Sequence, residues 1–293
     1  MNEIRSLLTI RDYLRWAVSR FNEASLFFGH GTDNAWDEAV ALILHVLHLP
    51  PDIDPKVLDG RLTLTERHTV FDRLQRRIQE RTPAPYLTHE AWFAGLSFYV
   101  DDRVLIPRSP LAELIESHFQ PWIDPDRVRN ILDLCTGSGC IAVASAQAFP
   151  GATVDATDIS NDALAVAKIN MLRYSLEHQI NLYASDLFEA LPHKKYEVII
   201  SNPPYVDAFE MAELPPEFQH EPALALAAGK DGLDIVKRIL FDAKKYLTPH
   251  GILIVEVGNS EHALIEQFPN VPFTWLEFQR GGGGVFLLTH EQL

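Results

Sequence analysis

From Asn130 onward the chain repeats one grammar, a short apolar run followed by a turn and a helical stretch. The runs are NILDLC, TVDATD, INLYAS, YEVIIS and ILIVEV, with helical patterns such as 162–174 and 233–246 between them. A helix between successive strands supplies the crossover that parallel pairing needs, so the repeated pattern predicts a doubly wound α/β sheet. The chain then closes with FTWLEF, a GGGG turn and VFLLTH. That turn is too short for a crossover helix, so the last pair of strands is expected to be antiparallel.

The first part of the chain has a different period. Leu14, Ala17, Val18 and Phe21 form one apolar face at helical spacing, and Val40, Ile43, Leu44 and Leu47 form another. A third helix is expected over about 65–81, ended by Thr82-Pro83-Ala84-Pro85. The aromatic and β-branched stretch AWFAGLSFYVDDRVLIPRSP reads as a short antiparallel hairpin. With 293 residues, 47% of them hydrophobic, there is material for two domains. The expected division is a helical domain over 1–88, a β-hairpin linker over 89–110 and a catalytic domain over 111–293.

No apolar run approaches the ~18 residues of a membrane span, and charges break up the opening MNEIRSLLTIRDYLRW, so neither an anchor nor a signal peptide is expected. The two cysteines, Cys135 and Cys140, have neither a metal-knuckle spacing nor a disulfide pattern. A cytoplasmic protein without a metal is the corresponding expectation. The net charge of −15 is uneven: residues 1–90 carry 11 basic against 13 acidic side chains, and the remainder 14 against 27. Such a field disfavours DNA and suits a basic partner, while solubility accounts for the same charge. Arg73, Arg76, Arg77 and Arg81 are expected on one helix face, either as solvated surface or, in Arg73, Arg76 and Arg77, as an RNA contact.

The first chemical signal is DLCTGSGCIA, where Gly137 and Gly139 lie between a strand and a helix and Asp158 ends the next strand. Glycines there admit a ligand close to the backbone, and the acid suits ribose hydroxyls. A nicotinamide dinucleotide and S-adenosylmethionine both meet that description. Asp133, in the strand before the glycines, would repel a pyrophosphate but suits a sulfonium cation, and the antiparallel final pair is foreign to the all-parallel dinucleotide fold. Both favour S-adenosylmethionine, with S-adenosylhomocysteine as product. Asp186 is a candidate acceptor for the adenine amino group or, equally, a cap for the segment after it.

The second signal is Asn202-Pro203-Pro204-Tyr205, directly after YEVIIS. Two prolines fix two φ angles and remove two donors, which leaves a stiff display of acceptors. In a doubly wound sheet the first and fourth strands are neighbours, and ligands bind at the crevice between their carboxyl ends. The glycine loop and this motif should therefore meet, with Asn202 bordering both cofactor and substrate. A planar NH2 group is a poor nucleophile because its lone pair is delocalised. Accepting its two hydrogens at the Asn202 side-chain oxygen and the Pro203 carbonyl would orient it and favour tetrahedral geometry in the transition state. Tyr205 can lie against the flat group and exclude water, its ring favouring nearby positive charge.

With these motifs the chain resembles the HemK/PrmC group of protein glutamine methyltransferases, in particular those acting on the third large-subunit ribosomal protein. The matching stretches are GHGTDNAWDEAV, FYVDDRVLIPRSP, DLCTGSGCIA, NPPYVDA, HEPALALAAGKDGL, EVGNS and PFTWLEF. The resemblance implies a class I S-adenosylmethionine-dependent methyltransferase, Rossmann-like, behind a helical substrate-recognition domain. It also implies cofactor contacts at Asp133, Gly137, Gly139 and Asp158, with the glutamine at Asn202 to Tyr205, and a role in ribosome assembly. Release-factor enzymes of the group usually carry Arg-Pro-Asp/Glu-Thr-Glu where this chain has Arg108-Ser109-Pro110-Leu111-Ala112-Glu113, which argues against that substrate. Leu187 stands where relatives often place an aromatic against adenine. A release-factor methyltransferase, an adenine or cytosine amino-methyltransferase and a cofactor-binding assembly factor are the alternatives. The acid-rich segment 206–231 is expected to line the approach of a basic polypeptide, with bulk solvation as the competing reading.

Overall fold

The computed structural model describes residues 2–293, which form two compact units. One comprises residues 2–90 together with Pro215–His220, and the other Ala91–Leu214 and Glu221–Leu293. The boundary thus falls at Glu90, the hairpin belongs to the larger unit, and Pro215–His220 belongs to the smaller.

The smaller unit contains α1 (Asn2–Ser6), α2 (Ile10–Glu23), α3 (Ala35–Val46), α4 (Leu64–Gln79) and α5 (Ala84–Thr88). Side chains close the helix starts. Thr9 and Asp12 form a reciprocal cap on α2, Thr63 and Glu66 do the same on α4, and Asn34 accepts from Asp37 N on α3. These satisfy amides that have no partner within the helix. Tyr13, Leu14, Ala17 and Phe21 of α2 pack with Ala39, Leu42 and Ile43 of α3 in one apolar cluster.

On α4 the buried positions are Val70, Leu74 and Arg77, spaced four and three apart. Arg77 therefore lies on the core face, which corrects the expectation of an exposed arginine stripe. It is fully buried: Nε donates to Glu38 at 2.6 Å, Nη1 to Glu217 at 3.2 Å and Nη2 to the Phe27 carbonyl at 2.8 Å. Arg81 also reaches Glu217 at 3.2 Å, and Arg76 pairs with Glu80. An RNA contact through Arg73, Arg76 and Arg77 together does not survive this arrangement. Burial works to raise the Glu217 carboxyl, but the Phe27 amide and Arg77 outweigh it and hold it below the usual glutamate range.

The larger unit opens with the antiparallel hairpin β1 (Ala91–Phe93) and β2 (Leu96–Phe98) and the helix α6 (Leu111–Glu116). The doubly wound part follows as β3 (Asn130–Leu134), α7 (Cys140–Ala148), β4 (Thr153–Asp158), α8 (Asn161–Arg173), β5 (Ile180–Ala184) and β6 (Tyr196–Ser201). It continues with α9 (Ala208–Glu213), α10 (Asp234–Ala243), β7 (Leu247–Glu256), α11 (Glu261–Gln267), β8 (Thr274–Trp275) and β9 (Val285–Thr289). The sheet order is β5-β4-β3-β6-β7-β9-β8, parallel except for β9, which runs antiparallel to both β7 and β8. Alternation along the strands fills two cores. Ile131, Val154, Val198 and Ile252 pack with α6 and α7, while Leu132, Ile199, Leu253 and Phe286 pack with α10 and α11. Among the described residues no helix is long and apolar enough to cross a membrane.

Replacing Arg77 by methionine leaves Glu38 and Glu217 buried with their main cation gone. Urea unfolding of the Arg77→Met variant should show a loss of about 3–5 kcal/mol, whereas Arg76→Gln, at an exposed pair, should stay within about 0.5 kcal/mol. Equal effects of the two would contradict the buried network.

Candidate active site

Two strand ends create the site. Leu134 of β3 is in register with Ser201 of β6, and the Ser201 hydroxyl donates to the Leu134 carbonyl at 2.8 Å. The residues that follow, the glycine loop on one strand and Asn202 on the other, are thereby brought side by side at the carboxyl edge of the sheet.

The loop is held from beneath. Asp133, fully buried, accepts from the Thr136 hydroxyl at 2.5 Å, and the Thr136 amide donates to the Thr157 carbonyl at 2.9 Å. Burial pushes the Asp133 carboxyl up to about 7, with Asp158 adding to the shift. Gly137 has φ +54°, and a Cβ built on it would meet no protein atom within 4 Å. It borders a cleft, so a side chain there would enter ligand space. Gly139 is the residue before α7. Asp158 accepts from Gly137 N and from Ser160 N, each at 2.9 Å, and burial raises its carboxyl despite these amides. Each carboxylate oxygen has a second lone pair left for a hydroxyl donor.

The cleft encloses about 810 Å³ of empty space including its open mouth. Gly137, Asp158, Asn202 and Pro204 border it. Asn202 Oδ1 is buried and accepts no hydrogen bond from the protein. Such an atom is costly unless something else supplies the donor. Asp133 and Pro203 are buried and do not line the cleft. Asp186 also lies outside it, turned to Arg238 at 2.9 Å. Leu187 is buried, with φ +51°.

Tyr205 has its own support. Its hydroxyl donates to Glu256 at 2.9 Å and its carbonyl accepts from the Ser260 hydroxyl at 2.9 Å. A Cβ on Gly258 would come within 2.5 Å of the ring, so glycine is needed for this approach. The stretch EVGNS, which carries no chemistry of its own in the sequence reading, is the seat of this ring.

The remaining wall comes from segments to which sequence reasoning gave other roles. Arg103, Leu105, Arg108 and Ser109 of the expected linker border the cleft, as do Pro222, Leu224 and Ala225 of HEPALALAAG. A two-pronged ion pair joins them. Arg108 donates to both oxygens of the buried Glu221, at 2.6 and 2.8 Å, and the Ile106 amide donates to the same carboxylate at 3.0 Å. Spacing alone gives no signal for this pair, because its members are 113 residues apart. The acids of 206–231 are mostly engaged internally, which bears on their expected role as a lure. Asp207 caps α9, Glu210 accepts from Asn259, Glu217 and Glu221 hold arginines, and Asp231 pairs with Lys237.

Residues 113–217 match the family model of the methyltransferase small domain. The structure is similar in fold to the hMettl16 catalytic domain in complex with a MAT2A 3'UTR hairpin, with a TM-score of 0.53 and 21% identity over 76% of this chain and 80% of that one. Ribosomal protein uL3 glutamine methyltransferase of Neisseria gonorrhoeae is 54% identical over 99% of this chain and 97% of its own length. The protein of the same description from Francisella tularensis is 49% identical, over 99% and 93%. With identity at this level over 99% of its length, the chain belongs to the ribosomal protein uL3 glutamine methyltransferase family.

Proposed function

We propose that this protein transfers a methyl group from S-adenosylmethionine to the side-chain amide nitrogen of a glutamine in ribosomal protein uL3, as a member of the HemK/PrmC group. The observation that carries the reading is the Asn202 oxygen, a buried acceptor with no protein donor in a cleft whose facing wall is the glycine loop. A primary amide is a donor that fits it.

The residues present suit the cofactor. Gly137 leaves room for a ligand against the backbone, Asp158 retains lone pairs for ribose hydroxyls, and Asp133 puts a buried carboxylate beneath the loop. When bound, S-adenosylmethionine supplies an electrophilic methyl group on a sulfonium centre. Asn202 accepts one amide hydrogen and the Pro203 carbonyl is assigned the other, which orients the nitrogen and favours its loss of planarity. Tyr205 covers the flat amide and excludes water. Proton removal needs no strong base, since a methylated, positively charged amide nitrogen is acidic. A glutamine offers few atoms to read, so discrimination between proteins is assigned to surfaces outside the cleft, the helical unit first among them.

The direct test is to incubate purified uL3 with the enzyme and cofactor and to locate the methyl group by peptide mass spectrometry. Modification elsewhere than a glutamine, or none, would overturn the assignment. Asn202→Ala should lower kcat at least about a hundredfold while leaving cofactor affinity, measured by calorimetry, nearly unchanged.

Asp133 generates a pH dependence. Burial pushes its carboxyl up to about 7, and a bound cation favours the ionised form, so binding releases a proton. Affinity for S-adenosylmethionine should therefore rise with pH through 7, by up to about tenfold per unit below that value. The uncharged thioether product should show a smaller rise, and its shared amino group makes it the internal control. Parallel pH profiles for the two ligands would remove Asp133 from cofactor charge recognition.

A further inference from the structure

Glu256 ends β7 and is 5% exposed. Both of its oxygens receive hydroxyl donors, Oε1 from Tyr205 at 2.9 Å and Oε2 from Ser109 at 2.5 Å. A buried carboxylate is expensive unless its oxygens are satisfied, and these two hydroxyls do that. They come from separate parts of the chain. Ser109 borders the cleft and also accepts from the Leu111 amide at 3.2 Å, where the chain turns into α6. Tyr205 closes the Asn202-Pro203-Pro204-Tyr205 segment.

We infer that Glu256 is a positioning residue for the methyl transfer: it fixes the Tyr205 ring from behind and ties that ring to the cleft wall at Ser109. The inference rests on the proposed function, because it gives a supporting role to a residue assigned to the amide site. A tyrosine ring anchored only at its Cβ can swing about χ1 and χ2. Here the hydroxyl is held by Glu256, the backbone carbonyl by Ser260, and one edge by Gly258, which leaves a single seat. The carboxylate is suited to the task because it only accepts and so imposes the donor role on both hydroxyls. Burial raises both the Glu256 carboxyl and the Tyr205 phenol, the latter further in the field of Glu256, so the phenol stays protonated as donor.

The test is a double-mutant cycle on the full chain with Glu256→Gln, Tyr205→Phe and the pair. Glutamine keeps the volume and one acceptor but loses the second. Each single change should lower kcat on the order of tenfold, as for a hydrogen bond to a charged group, with the KM for cofactor unchanged. The double variant should be no slower than the slower single, because both remove the same link. Losses that multiply would overturn the inference, as would an unchanged kcat in Glu256→Gln. Ser109→Thr should retain most of the rate that Ser109→Ala loses, and equal rates for the two would break the Ser109 end. A fluorotyrosine label gives a readout that does not need turnover. The resonance assigned to position 205 by its disappearance in Tyr205→Phe should shift or broaden in Glu256→Gln, and an unmoved resonance would sink the positioning role. Failure of the wild-type enzyme to methylate uL3 would instead strike the functional reading and leave the resonance result standing.

Discussion

The cleft of the larger unit depends on the parallel pairing of β3 with β6. Two strands distant in sequence lie side by side with Leu134 opposite Ser201, and the Ser201 hydroxyl closes the pair at the edge where both strands end. Because both run the same way, both following loops emerge at the same edge. One loop carries Gly137 and Gly139, and the other carries Asn202 with its buried, unpartnered side-chain oxygen. A slip of one residue in this register would turn Asn202 toward the opposite face of the sheet and separate the two halves of the site.

Around that edge, buried polar side chains hold backbone as well as one another. Asp158 takes the amides of Gly137 and Ser160, and Glu221 takes the Ile106 amide as well as Arg108. Asn170, fully buried on α8, accepts from the Tyr99 amide and donates to the carbonyls of Tyr99 and Ser138. Hydrogen bonds to charged groups contribute about 1.5–3 kcal/mol each, but their main effect here is geometric. They fix loops that have no ladder of their own, so the cleft wall from Arg103 to Ser109 behaves as part of the sheet's scaffold. Arg77 plays the same part in the helical unit, where Glu38, Glu217 and the Phe27 carbonyl surround one guanidinium.

The legible features in the sequence were those with a local cause. Apolar periodicity marks β3 to β7 and the helices between them, because each strand or helix is patterned by its own neighbours. A GGGG turn forces the antiparallel final pair whatever surrounds it. Gly137 and Asp158 were legible because the glycine loop and the acid beyond the next strand are set by one βαβ unit. Arg77 was misread for a related reason: helical spacing groups it with other arginines, but the same spacing puts it in line with Val70 and Leu74. Only the presence of Glu38 and Glu217 makes burial of the charge tolerable. Asp186 follows β5 as the sequence suggests, and its side chain pairs with Arg238.

By itself, then, the sequence determined the doubly wound sheet, the adjacency of its first and fourth strands, the antiparallel final pair, the glycine loop and the stiff acceptor motif after β6, since each follows from backbone preference and connection length. Tertiary structure alone decided which other residues border the cleft and how they are held. The Arg108 pair with Glu221 and the links from Ser109 and Tyr205 to Glu256 join positions more than fifty residues apart. No local propensity encodes such contacts. They exist because burial leaves each carboxylate a choice between finding donors and losing its charge, and only the folded chain brings the donors within reach.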